Sequence, residues 1–179
     1  MVVDDIVGAL EQNRFPLILS DRRDHLDLLF EELKKRLVKT RFEGFLLTSD
    51  AGKKQRGKIL VQIAEMLNRG ELPYLLSTGA LIGEGFDLPE LSTLVLAMPI
   101  AFKGRIIQYA GRIHRVSPGK TEVQVYDYVD SNLGLCISMF KKRLTAYRKM
   151  GYSIEVNEKS KLYNMVNSRR KKMPPAANN

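Results

Sequence analysis

The sequence has one cysteine in 179 residues and no tryptophan. A lone Cys136 excludes an internal disulfide, so a reduced, cytoplasmic setting is the expectation. Cys136 lies in an apolar stretch, where a thiol packs as a small hydrophobe rather than acting as a nucleophile. Histidine is nearly as scarce. His25 and His114 have no cysteines or carboxylates at ligand spacing, so no metal site is expected. Long apolar runs are missing as well. None approaches the length of a membrane span, and residues 1–10 lack the pattern of a secretory signal, so no membrane partner is expected. The aromatics are scattered and form no legible stacking platform. Acidic residues are the last shortage: 20 against 29 basic ones, a formal net charge of +9. Part of that excess is clustered, at 34–36, 53–58, 141–143 and 169–172. It favours a polyanion such as DNA or RNA, although charge runs commonly do no more than solvate a helix.

What is present is an alternation of short apolar runs with amphipathic stretches, on a chain long enough to bury a sizeable core. Strands are expected at 16–19, 42–48, 73–77, 94–98 and 121–128, with a further short one at 154–156. Helices are expected at 22–37, where Leu26, Leu29, Leu33 and Leu37 share a face, and at 54–68, where Ile59, Ile63 and Leu67 do. Others are expected at 105–115, 134–150 and 160–170, and residues 2–12 read as a covering helix. Ser20 or Asp21 is placed to cap the helix that starts at 22. Alternating strands and helices imply parallel crossovers, a mostly parallel sheet and helices on both faces. We divide the chain into a covering helix at 1–15, a core domain at 16–156, and a final helix with a disordered basic tail at 157–179.

Two stretches carry chemistry. Residues 78–87 come directly after a strand and contain Gly79, Gly83 and Gly85, then Asp87. Glycines there let backbone N–H groups approach phosphates, and Asp87 could accept from a ribose hydroxyl or hold the loop. A plain connection with glycines for turns is an equally open reading. The second stretch is 108–115. Ile106, Ala110 and Ile113 fall on one helical stripe, while Gln108, Arg112 and Arg115 repeat at the same spacing nearly opposite. Gly111 removes a side chain beside that polar stripe. Two guanidiniums and an amide suit an anion with several oxygens, such as a triphosphate. In a parallel sheet the working loops lie at the carboxyl ends of the strands, so the loops after Ser77 and Met98 should share one surface.

One pattern is a decoy. Residues 52–58 have the spacing of a phosphate-binding loop between a strand and a helix. Ile59 stands where a hydroxyl should reach Mg²⁺, and no apolar run downstream ends in an acidic pair. Lys53, Lys54, Arg56 and Lys58 then line a helix start, in solvent or near nucleic acid.

Taken together, residues 78–89 resemble motif V of superfamily 2 helicases. Gln108-x-x-Gly111-Arg112-x-x-Arg115 resembles their motif VI, and residues 17–20 occupy the place of motif IV. The strings are most similar to the XPB-like branch of DEAD/DEAH-type helicases, over roughly residues 16–128. The resemblance implies a RecA-like three-layer sandwich, the second of the two such domains between which ATP binds. It implies that Arg112 and Arg115 reach the γ-phosphate, Arg115 as the finger, with Gln108 orienting them or the attacking water. Gly85, Asp87 and Gly111 would meet nucleotide, and Ser20, Thr78 and Gly79 the backbone phosphates of DNA or RNA. The distance from Thr78 to Asp87 is one residue longer than in the common DEAD-box form, which weakens the transfer at Thr78 and Gly79. Mg would be held mainly by the first domain, which nothing in this chain replaces, so this chain alone is expected not to hydrolyse ATP. The alternative is a non-catalytic RecA-like module for nucleic-acid binding or protein docking.

Overall fold

In the computed structural model the elements run α1 (Val2–Glu11), β1 (Pro16–Leu19), α2 (Arg23–Arg36), β2 (Phe42–Leu47), α3 (Lys53–Asn68), β3 (Leu72–Ser77), α4 (Gly79–Ile82), β4 (Thr93–Leu96), α5 (Lys103–Ile113), β5 (Gln124–Asp127), α6 (Gly134–Lys149) and α7 (Tyr163–Asn167). The structure describes residues 1–48, 50–82, 87–99 and 103–167. They fall into two compact units, one drawn from residues 1–99 and 104–128 and one from residues 129–167 with Lys103.

The first unit holds a five-stranded sheet in the order β2-β3-β1-β4-β5, with every neighbouring pair parallel. Its three central strands are apolar runs without alternation because both faces are covered. On one face Ile6 and Leu10 of α1 and Leu26, Leu29 and Leu33 of α2, with Leu37 just after it, pack on Ile18, Tyr74, Leu76 and Val95. Their strand neighbours Leu17, Leu19, Leu75, Leu94 and Leu96 are fully buried and point the other way by the two-residue period. The helices on that side are α3, which buries Ile63 and Met66, and α5, which buries Ile106, Tyr109, Ala110 and Ile113. This is the α/β sandwich expected, with a sheet parallel throughout.

Several details differ from the sequence reading. The buried stripe of α3 runs through Ile63 and Met66, while Ile59 and Leu67 are only half-buried. The cap of α2 is Arg22, whose amide is accepted by the Ser20 hydroxyl from outside the helix, and Asp21 is turned elsewhere. Residues 79–82 form one helical turn in place of a loop. Residues 154–156 form no strand, and of the final helix only Tyr163–Asn167 is helical among the described residues. The tail at 168–179 lies outside them.

In the second unit Phe140 and Leu144 of α6 pack against Leu162 and Val166. Cys136 is buried on α6, the packing role its apolar setting implies. No helix among the described residues is long and apolar enough to cross a membrane.

Burial of tyrosines gives the fold a signature at alkaline pH. Burial pushes Tyr74 from 10.0 up to about 12, with Glu43 and Glu31 adding to the shift. Burial likewise raises Tyr152 to about 12. Tyr128 is raised by burial and by its 2.7 Å hydrogen bond to Asp5. The fold favours the neutral phenol, so the stability from Tyr74 is complete below pH 10 and is lost as pH rises through about 12. In an absorbance titration near 295 nm these three of the seven tyrosines should ionise late, together with unfolding. Seven equivalent transitions near pH 10 would contradict this.

Candidate functional site

The strand registers place Leu47, Ser77, Leu19, Leu96 and Asp127 side by side at the carboxyl edge of the sheet. The residues just past each strand therefore share that edge: Ser20 and Asp21 after β1, Thr48 after β2, Thr78 and Gly79 after β3, Met98 and Pro99 after β4. The stretch 78–87 begins there, and β4 leads from there into α5, which carries Gln108 and Arg112.

Ser20 is buried. Its Oγ accepts from the Arg22 amide at 3.2 Å and lies 3.2 Å from Nδ1 of His25, so the hydroxyl is engaged within the first turn of α2. Thr78 Oγ1 is buried without a hydrogen-bond partner among the described residues. Gly79 is glycine for a steric reason. A Cβ there would strike the Tyr109 hydroxyl and come within 3.0 Å of Asp21 Oδ1. Tyr109 is 2% exposed, so the close approach of β3's exit to α5 is fixed by packing. Burial raises the Tyr109 phenol, Asp21 raising it further and Arg105 opposing. A cavity of about 110 Å³ opens between Ser20, Asp21, Gly79, Pro99 and Tyr109. At its rim Arg105 donates to Asp21 at 3.1 Å.

On α5 the expected division of faces holds. Ile106, Ala110 and Ile113 are fully buried, Gln108 is exposed and Arg112 is half-buried. A Cβ on Gly111 would meet nothing within 4 Å, so the surface beside Gln108 and Arg112 is open to an incoming group. Arg115 departs from the helical stripe, because α5 ends at Ile113. Its guanidinium instead forms an ion pair with Asp87. The structure thus brings together two residues singled out in separate stretches. Gly85 lies outside the described residues.

The decoy is resolved by backbone conformation. α3 starts at Lys53 with Gly52 as its cap, so residues 53–58 are helical rather than a loop that could cradle a phosphate. Arg56 turns back to donate to the Ala51 carbonyl at 2.8 Å. A larger cavity, about 330 Å³, lies away from this edge beside the amino ends of the strands, between Arg14, Phe15, Ser92, Ser117, Lys120 and Glu122. Its cations are spent internally. Arg14 pairs with Glu122, and Lys120 donates to the carbonyls of Pro89 and Leu91, the latter at 3.1 Å. Among the described residues, the larger cavity therefore offers no free cation to an anionic ligand.

Sequence reasoning missed Arg105, Lys120 and the pairing of Asp87 with Arg115. Each rests on contacts between residues 28 or more apart in the chain, which no local period encodes.

The fold and the two juxtaposed motifs define a RecA-like helicase domain. Residues 2–117 match the helicase conserved C-terminal domain family, and the chain belongs to that family. It is similar to the probable helicase D10 of Escherichia phage T5, 29% identical over 136 residues, 76% of this chain and 28% of D10. Among solved structures it resembles the C-terminal part of the Fun30 ATPase domain, with a TM-score of 0.62 and 17% identity, over 94% of this chain and 53% of that one. It also resembles helicase Lhr of Mycobacterium smegmatis bound to ssDNA and AMP-PNP, with a TM-score of 0.58 and 15% identity, over 81% of this chain and 19% of that one. The chain thus spans between about a fifth and a half of the length of these proteins.

Proposed function

We propose that this chain is the second motor domain of an ATP-dependent helicase or translocase, completed by a first RecA-like domain that supplies the phosphate loop and most of the Mg ligands. The observation that carries this reading is the meeting of Asp87 and Arg115. Helicase motifs V and VI, expected to act on one nucleotide, are in contact in a chain of the helicase C-terminal family. Placement in the XPB-like branch, and in the cytoplasm, rests on the sequence alone.

The residues suit ATP. Gln108, Arg112 and Gly111 present an amide, a cation and open space along one face of α5, and Asp87 holds Arg115 beside motif V. Bound between two domains, ATP would supply a γ-phosphate whose transfer to water drives domain motion. Arg112 and Arg115 would bind and orient its oxygens, with Arg115 placed on the charge that develops in the transition state. Gln108 would orient the arginines or water. Gly85 and Asp87 would touch the nucleotide. Ser20, Thr78 and Gly79, at the carboxyl edge, would meet backbone phosphates of DNA or RNA with little sequence preference. That the similar Lhr was captured with ssDNA and AMP-PNP supports this pairing of ligands.

The test is ATP hydrolysis by this chain alone and by a protein carrying a first RecA-like domain, each with and without single-stranded nucleic acid. Hydrolysis only in the larger protein, stimulated by nucleic acid, is the expected result. Hydrolysis by this chain alone would overturn the half-motor reading. Silence from both, with nucleic acid still bound, would leave the non-catalytic module.

A further inference from the structure

The carboxyl edge holds one more pair of charges that the helicase motifs do not use. Arg105 sits in the first turns of α5 and Asp21 immediately after β1, 84 residues earlier. Their side chains meet at 3.1 Å, and both are about half exposed, 52% and 55%. The pair borders the small cavity between Ser20, Gly79 and Tyr109. Asp21 Oδ1 would lie 3.0 Å from a Cβ on Gly79, so the carboxylate is packed against the exit of β3. Ser20, Thr78 and Gly79, the residues proposed for backbone phosphates, are thus next to an acid and a guanidinium already bound to each other.

We propose that Asp21 and Arg105 form a latch opened by nucleic acid: a backbone phosphate takes Arg105 from Asp21, making Arg105 a further phosphate-binding residue of this edge. The inference rests on the nucleic-acid reading above and extends it to residues outside the motifs. Three physical features fit. An exposed ion pair is weak because water solvates both partners, so exchange of one anion for another costs little. A guanidinium binds phosphate as a two-pronged donor, as it does carboxylate, so Arg105 needs no rearrangement of its own to change partner. Paired, Asp21 and Arg105 cancel, so the empty edge is locally neutral where the chain as a whole is strongly basic, and Asp21 opposes a phosphate that draws Arg105 away. The latch also ties the start of α2 to the start of α5, the helix that carries Gln108 and Arg112. Occupation of the edge by nucleic acid therefore releases a tether on that helix.

The experiment is binding of this chain to a fluorescent single-stranded oligonucleotide, titrated at several salt concentrations, with the unchanged chain, Asp21→Asn, Arg105→Gln and the double variant. Melting curves accompany each, and two exposed substitutions should leave them nearly unchanged. Asp21→Asn should tighten binding about 3-fold, the repulsion of one charge a few ångströms away in water. Arg105→Gln should weaken it several-fold and lower the slope of log K against log salt by about one phosphate contact. In the Arg105→Gln background, Asp21→Asn should give a smaller gain, because part of its effect is the freeing of Arg105. Binding by the unchanged chain with no response to either substitution overturns the latch and leaves the nucleic-acid reading standing. An equal gain from Asp21→Asn in both backgrounds overturns it too, since Asp21 would then act as a simple repulsive charge. No binding by any variant at low salt overturns both.

Discussion

Arg115→Ala, in a protein that carries both RecA-like domains, should lower ATP turnover about 10³-fold or more while leaving single-strand affinity within a few-fold. The size comes from what a guanidinium does on a phosphoryl group in transfer. Negative charge builds on oxygens shielded from water, and a fixed cation there is worth far more than the same cation in solvent. The cost to folding should be small. Arg115 and Asp87 are 43% and 51% exposed, and an ion pair in that setting contributes roughly 0–1 kcal/mol. A melting temperature within about 2 °C of the parent would therefore accompany the loss. Arg115→Lys should recover only part of the rate, because an ammonium keeps the charge without the planar fork. If Arg115→Ala turned over ATP within about 5-fold of the parent, some other residue would have to stabilise the transition state.

The largest effect on stability should come from a glycine that carries no chemistry. Gly44 lies in the middle of β2, and a Cβ built there would strike the hydroxyl end of the Tyr74 ring on the neighbouring strand β3. Tyr74 is 2% exposed, belongs to the core under α1 and α2, and meets Phe30 edge-on at 6.4 Å. Its ring has no free direction. Gly44→Ala should thus cost about 2–3 kcal/mol, the upper part of the roughly 1–3 kcal/mol usual for overpacking, although alanine suits a strand better than glycine does. For a chain of this size that is a fall of roughly 5–10 °C in melting temperature. The cause is checked with Tyr74→Leu. That change alone opens space and destabilises, but Gly44→Ala added to it should cost much less than in the parent. Additive costs would mean that the glycine is needed for its backbone and not for the ring above it.

These two positions mark the boundary of what local sequence encodes. Arg115 is legible from spacing, because a repeat of Gln108, Arg112 and Arg115 opposite three buried residues is a local pattern that a helix makes visible. Even so, the spacing overruns the helix, and the partner of Arg115 is Asp87 from another motif. The sheet is legible because its central strands are buried on both faces and therefore uninterrupted in apolar character. All five of its strands show in the sequence, and the alternation with helices then places the loops after Ser77 and Met98 at one edge. Gly44 carries no signal of its own. Nothing in the neighbouring residues 42–47 says that a tyrosine ring from the next strand lies above it, since lateral packing is decided by register between segments. The same holds for Asp21, which reads as a helix cap and in fact serves Arg105. Pairs made across the sheet edge are set by the fold, and only then do the side chains choose among partners.

Lys120 belongs to this last class, and it bears on how the two motifs are held together. Its ammonium spans the carbonyls of Pro89 and Leu91, joining the exit of motif V to the turn after motif VI. Burial pushes this lysine below its ordinary value, with Glu90 pulling the other way, so the joint is partly withdrawn from solvent. Added salt that strips a polyanion from the outer surface screens such a contact much less. The two motifs are therefore fastened to each other at the foot of the sheet, opposite the edge where the strands end. Loss of the Lys120 ammonium would loosen both at once rather than one at a time.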